Sequence, residues 1–421
     1  MITTKSLIPP LVTAGLLAAS GSVFAAGFQI SESSISGLGR AFAGAGVAAD
    51  DVSDMFYNPA GMSLLEGRQF QGGLSLIDSE SSFSGGAVPF GGINDDGGET
   101  GLVPNIFYTS DINSALRYGL SITAPFGLAT EYEKNWAGRY QGLRSELKTI
   151  DINPSFSYQV NSQFAAGAGI SLQYAEAELI SARFLGPGIP DGTSTIEGDD
   201  WSAGFNLGAV FTPSDSARFG IGYRSSVSQT AEGSLNVVSP TGATLLNAGA
   251  EAKVTLPATV YLSGLFAVSS NIDLLVSGRW TDWSEFDELR VKFDNGLPDN
   301  VTPENWDDTW TFSVGANYHM SDRWTLRTGY AHDESPTSDE FRTVRIPDSD
   351  RDWFTIGASY SPSANLTIDF GYANLSGDDA TINETTVIAG PPTAPGIVTS
   401  TLGGAYTGGA DIFGIGFQYR F

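Results

Sequence analysis

The chain closes on Phe413-Gly414-Ile415-Gly416-Phe417-Gln418-Tyr419-Arg420-Phe421, in which every odd position is large and apolar and every even one is Gly, Gln or Arg. Successive side chains of an extended strand point to opposite faces, so this stretch offers one face to lipid and one to a polar lumen. The same period of two recurs in Trp310, Phe312, Val314, Ala316 and Tyr318, in Leu366, Ile368, Phe370 and Tyr372, in Phe205, Leu207, Ala209 and Phe211, and in Ile150, Ile152, Phe156 and Tyr158. A soluble sandwich alternates in this way too. The strand ends decide between them, because Trp and Tyr cluster there as an interfacial girdle requires and the last residue is aromatic. The expected fold is all-β, a transmembrane antiparallel β-barrel.

Connections between these strands sort into two kinds. Short turns are expected at 110–114, 160–163, 212–216, 269–271, 321–323 and 361–364, and long loops at 78–100, 131–145, 183–200, 234–250, 287–307, 333–349 and 375–407. Six turns alternating with seven loops predict about 14 strands, with both barrel ends on the periplasmic side and the long loops outside.

The N-terminus places the chain in the export pathway. Lys5 precedes an apolar run over 7–19 and then Ser20-Gly21-Ser22-Val23-Phe24-Ala25. Val23 and Ala25 satisfy the small-residue rule of a signal peptide, so residues 1–25 are expected to be removed and the mature chain to begin at Ala26. Beyond that segment no stretch approaches the ~20 consecutive apolar residues of a membrane helix. A helical inner-membrane protein is thereby excluded. There is no cysteine, hence no disulfide framework, thiolate metal site or thiol nucleophile. A formal charge of −26 argues against nucleic acid as a partner. The paired acids Asp95-Asp96, Asp199-Asp200, Asp307-Asp308 and Asp378-Asp379 lack EF-hand spacing and read as solvated loop faces, with Ca²⁺ or lipopolysaccharide bridging as the alternative. No metal site and no cofactor is expected.

Residues 26–67 break the pattern. They lack clean alternation, are crowded with small residues from Ser33 to Gly46, and yet keep Phe28, Leu38, Phe42, Val47, Met55 and Phe56. Disordered tails are poor in such groups, so a plug inside the barrel is expected rather than a surface tail. Residues 68–421 then form the barrel. A second irregularity lies in the run 118–130, where Pro125 lacks a ladder N–H and Gly127 lacks a side chain; a break in pairing is expected there, with a simple bulge as the alternative.

A set of short motifs runs through the mature chain in order: Ala26-Gly27-Phe28-Gln29-Ile30, Ser36-Gly37-Leu38-Gly39-Arg40-Ala41, Asp50-Asp51, Asn58-Pro59-Ala60, Phe126-Gly127-Leu128-Ala129-Thr130-Glu131, Tyr223-Arg224-Ser225, Trp283-Ser284-Glu285-Phe286, Trp324-Thr325-Leu326-Arg327-Thr328-Gly329 and Ile346-Pro347-Asp348-Ser349-Asp350-Arg351. By these motifs, in colinear order, the sequence resembles the FadL/TodX family of outer-membrane transporters for long-chain fatty acids and aromatic hydrocarbons over essentially its whole mature length. The resemblance implies a monomeric barrel of fourteen strands whose N-terminal hatch includes Ala26, Gly27, Phe28, Asn58, Pro59 and Ala60. Pro125, Phe126 and Gly127 would mark a lateral exit in the third strand. Arg183 matches a position that receives a ligand carboxylate; a contact of that kind predicts a loss of about 1.5 to 3 kcal/mol for Arg183→Ala. Thr302-Pro303-Glu304-Asn305 stands where the resemblance leads one to expect a lysine. Phe421 would be the signal read by the barrel-assembly machinery. Inward Arg224, Arg279, Arg327 and Arg420 are expected to pair with Asp151, Asp273 and Asp369 inside the lumen.

The implied function is passive uptake of a long-chain fatty acid or another hydrophobic ligand across the outer membrane, in contact with lipopolysaccharide and outer-membrane lipids. Aromatic hydrocarbon or alkane uptake and a general porin are the alternatives. An outer-membrane hydrolase would need a nucleophile and a base, and neither His319 nor His332 sits in a recognisable catalytic motif.

Overall fold

In the computed structural model, which describes residues 27–389 and 398–421, the outward positions of the alternating segments stay bare: Phe312, Val314, Phe354, Ile356, Phe413 and Ile415 are each more than half exposed. A bilayer rather than water covers such a surface. Their neighbours Asn153, Ser155, Ser313, Asn317 and Gln418 turn inward and are buried. The signal peptide and Ala26 lie outside the described residues.

Fourteen staves form one antiparallel wall. They are β1 (Gln69–Val88), β2 (Thr100–Asp111), β3 (Leu116–Thr123, then Gly127–Glu131), β4 (Arg144–Gln159), β5 (Phe164–Arg183), β6 (Gly192–Ser214) and β7 (Ala217–Arg224, then Val227–Val238). There follow β8 (Thr244–Leu256, then Thr259–Ser269), β9 (Ile272–Thr281, then Glu288–Phe293), β10 (Asn300–Pro303, then Thr309–Ser321), β11 (Trp324–Asp333), β12 (Arg351–Ser363), β13 (Leu366–Gly377, then Ala380–Ala389) and β14 (Val398–Arg420). The barrel closes between β1 and β14, from Gln69↔Arg420 to Val88↔Thr401. Closure leaves no outer edge to aggregate.

The short turns fall where the alternation ends, but several stretches read as long loops are strand. β5 and β6 stay paired out to Arg183↔Gly192, β7 and β8 to Val238↔Thr244, and β13 and β14 to Ala389↔Val398. Beyond the membrane both faces of a ladder meet water, so the apolar alternation fades although the backbone still pairs. Genuine loops remain at 132–143 and 334–350, and both fold back over the mouth: Trp136, Ala137 and Val344 are fully buried with Phe83, Leu402 and Tyr406.

Residues 27–66 occupy the lumen and are almost all buried. They make two single-turn helices, α1 (Ile35–Leu38) and α2 (Asp54–Tyr57), and a 3₁₀ turn over Pro59–Leu64. Ser34 caps α1 by accepting from Gly37 N at 2.9 Å. Irregular backbone survives at membrane depth because the barrel encloses it.

Candidate functional site: the N-terminal segment against the third strand

β3 begins as a good strand and loses its partner at the residues that cannot sustain a ladder. Pairing with β2 runs from Asp111↔Arg117 to Ile106↔Ile122 and stops. Beyond it, residues 100–105 of β2 pair with β1 alone, while Gly127–Glu131 pairs only with β4. Between the two halves of β3 lies Pro125, which has no N–H to give. The N-terminal segment stands in as partner: Ile30 N donates to Pro125 O and Gly127 N to Phe28 O, both at 2.9 Å, around a bridge between Gln29 and Phe126. A Cβ on Gly127 would sit 2.7 Å from Ile30 Cδ1, the movable tip of that side chain.

Phe28 is held by aromatic edges. Its ring centroid lies 4.7 Å from Trp283, 5.5 Å from Trp306, 5.6 Å from Phe286 and 6.1 Å from Phe126. Burying such a side chain contributes about 1.5 to 3 kcal/mol. The preceding Gly27 N donates to Asp348 Oδ2 at 2.8 Å. Four sequence-distant stretches, 27–30, 125–127, 283–286 and 346–348, thus converge on one point.

Asn58-Pro59-Ala60 docks on the adjoining wall, β4 to β7. Asn58 Oδ1 accepts from Ala60 N and Asn58 Nδ2 donates to Ala209 O, each at 3.0 Å, while Ser157 Oγ donates to Ala60 O at 3.2 Å. Contact this close requires bare backbone. A Cβ on Gly208 would come within 2.0 Å of Asn58 Oδ1, and one on Gly222 within 2.0 Å of Tyr57 O. Gly329 and Gly357 likewise admit Arg40 and Gly39 on β11 and β12, and Gly371 and Gly414 admit Ile35 and Leu38 on β13 and β14. Their signal in the sequence is that they fall in the inward phase of otherwise regular strands.

The lumen ion pairs differ from the expected set. Arg224 does pair with Asp151. Arg279, however, meets Asp333 at 3.1 Å, Arg327 meets Asp50 of the N-terminal segment at 3.2 Å, Asp273 faces His319 at 2.7 Å, Asp369 accepts from Ser359, and Arg420 is exposed. The enclosed segment supplies charges of its own, which pairing rules confined to the wall cannot anticipate.

Arg183 closes β5 outside the membrane with an exposed side chain, between Ala182 and Phe184, which pack on the apolar mouth cluster. A more enclosed cation is Arg345, whose Nη1 donates to Ser145 Oγ at 2.9 Å and to Arg144 O at 3.1 Å. Two carboxyls act on it across the mouth. Glu304, 3% exposed, has one oxygen without a hydrogen-bond partner among the described residues, and burial with the nearby Glu384 charge pushes its pKa well above the usual carboxylate range. Glu384 is only partly covered by surface area, yet it sits deep enough in the mouth for burial to push it up to about 7 against the opposing pull of Val344 N–H and Arg345. Phe421, 61% exposed, donates its N–H to Arg68 O at 2.9 Å and lies under the Arg68 guanidinium at 4.5 Å.

Residues 16–421 match the family described as outer membrane protein transport protein (OMPP1/FadL/TodX). The chain is 30% identical to the long-chain fatty acid transport protein of Escherichia coli O6:H1 over 96% of both chains, and 32% identical to the 47 kDa outer membrane protein of Pasteurella multocida over 100% of both. Among solved structures, a FadL homologue of Pseudomonas aeruginosa is similar with a TM-score of 0.85 at 26% identity, covering 94% of this chain and 100% of that one. With a family match over nearly its full length and a closed barrel of fourteen strands to carry it, the chain belongs to the OMPP1/FadL/TodX family of outer-membrane transport proteins.

Proposed function

We propose that this protein passes long-chain fatty acids or similarly hydrophobic molecules through the outer membrane without an energy source, with residues 26–67 acting as a hatch and the cargo leaving sideways at Pro125-Phe126-Gly127. The observation that carries this reading is the end of the β2–β3 ladder at Ile106↔Ile122, where the N-terminal segment becomes the neighbour of the third strand. Cargo settles on the apolar mouth, moves past the aromatic residues around Phe28 and leaves into lipid when the segment shifts. Each step keeps apolar surface out of water, worth about 25 cal/mol per Å². Arg183, exposed at the rim, meets an incoming carboxylate from solution. Phe421 serves as the assembly signal, the acidic outer loops face lipopolysaccharide, and the barrel works as a monomer.

Aromatic hydrocarbons or alkanes are the second reading. A specific observation favours it, since the buried carboxyl of Glu304 stands at the mouth where a cation would serve an acid better. The test of the exit is Pro125→Val with Gly127→Thr, two residues that favour strands. The barrel is expected to assemble and to bind oleate from outside, while uptake falls severely. Wild-type uptake by the folded variant would move the exit to the periplasmic end.

A further inference from the structure

The wall has a second seam that the third strand does not explain. β6 and β7 pair from the periplasmic turn up to Asn206↔Arg224, and pair again only from Asp199↔Glu232 outward. Six residues of β6, 200–205, face seven of β7, 225–231, so the register slips by one. A backbone bond from Ser225 N to Phe205 O at 2.9 Å closes its lower end. The rest is stitched by side chains: Phe205 N donates to Ser225 Oγ at 2.9 Å, Ser202 Oγ to Ser228 O at 2.7 Å, and Thr230 N to Asp200 Oδ2 at 2.8 Å. Backbone groups left without a ladder need other partners, and these hydroxyls and this carboxylate supply them.

The seam lies at the outer interface. Two aromatic pairs frame it, half-buried Tyr174 with exposed Trp201 at 5.3 Å above and exposed Phe205 with half-buried Tyr223 at 5.8 Å below. At its centre Gly204 has no side chain, and a Cβ there would come within 2.8 Å of Val227. Behind it a narrow cavity of about 20 Å³, which must widen to admit a chain, is lined from Phe205, Ser225 and Val227 to Gln29, Pro125 and Phe126. A wall joint held by rotatable side chains opens without breaking a run of backbone bonds, and this one opens onto the cavity beside the third strand.

We propose that the β6–β7 seam is a second lateral port, through which single apolar or amphiphilic chains dissolved in the outer leaflet join the lumen. The inference shares its cavity with the proposed exit but does not require that exit. The absence of cysteine makes it testable with single thiols. In vesicles carrying N-dodecylmaleimide, Val227→Cys is expected to react at least about tenfold faster than Ser313→Cys, an inward residue behind unbroken ladders on both sides. The advantage should persist with Pro125→Val and Gly127→Thr added. A Gly204→Cys/Val227→Cys disulfide should lower transfer of oleate supplied from the vesicle lipid and recover on reduction. Equal labelling of the two thiols, or loss of the difference once the third strand is repaired, overturns the port. Fast Val227→Cys labelling combined with wild-type uptake by the Pro125/Gly127 variant would keep the port and reject the exit.

Discussion

β3 and β11 cross the same membrane in the same barrel, and both touch the N-terminal segment, but in opposite ways. β11 keeps a full ladder on both sides, from Phe312↔His332 to Tyr318↔Leu326 and from Trp324↔Tyr360 to Asp333↔Arg351, and meets the segment through the bare backbone of Gly329 and the side chains of Arg327 and Ala331. β3 gives up its ladder with β2 and takes the segment as a partner in hydrogen bonding. A contact made on a glycine leaves the wall sealed whether the segment is present or not. A contact made on a strand edge ties the seal to the segment, and that difference is the reason the exit is proposed at the third strand.

The comparison breaks most directly if the edge is repaired. Pro125→Val with Gly127→Thr should lower oleate uptake by at least about tenfold while the folded barrel accumulates, because a restored ladder removes the gap; radiolabelled uptake and heat-modifiability on gels measure the two. On the β11 side, Gly329→Val should leave the wall intact and dislodge the segment instead, since the new Cβ would lie 2.2 Å from the Arg40 carbonyl carbon. Sugar permeation in liposome swelling is expected to rise several-fold, toward that of an open pore. Wild-type swelling would show that the segment tolerates the clash.

Deletion of Phe421 removes an exposed aromatic from the closing seam and should reduce folded barrel yield by roughly half, read as the heat-modifiable fraction. A smaller effect concerns pH. Glu384 rises from its ordinary 4.5 to about 7, so the folded mouth holds a proton that the unfolded chain releases. Its contribution therefore falls as pH rises from about 4.5 to about 7 and is flat above. Hydrogen exchange of 380–389, corrected for intrinsic rate, should show greater protection at the acid end, and Glu384→Gln should flatten the profile. The smallest effect belongs to Arg183. Because its side chain is exposed, Arg183→Ala should cost oleate binding under about 1 kcal/mol rather than the larger loss expected of an enclosed contact. A large loss for the acid but not for the alcohol of equal chain length would return Arg183 to an enclosed head-group site.

Alternation along 310–318, 366–372 and 413–421 determined a barrel without further help, because a period of two with aromatic ends has few other physical uses. Pro125 and Gly127 likewise announced a break in pairing, since their limits are those of single residues. Tertiary structure decided what the break faces. The approach of Phe28 and Ile30, the meeting of Asp348 with Gly27, and the pairing of Arg327 with Asp50 join residues far apart in the chain, and nothing in local periodicity encodes them. The seam at Ser202 and Ser228 was equally invisible, because a one-residue slip between two good strands leaves each strand looking regular. Sequence thus sets which face each residue shows, a local property of the extended chain, whereas the partner on that face depends on how the closed wall wraps around the segment inside it.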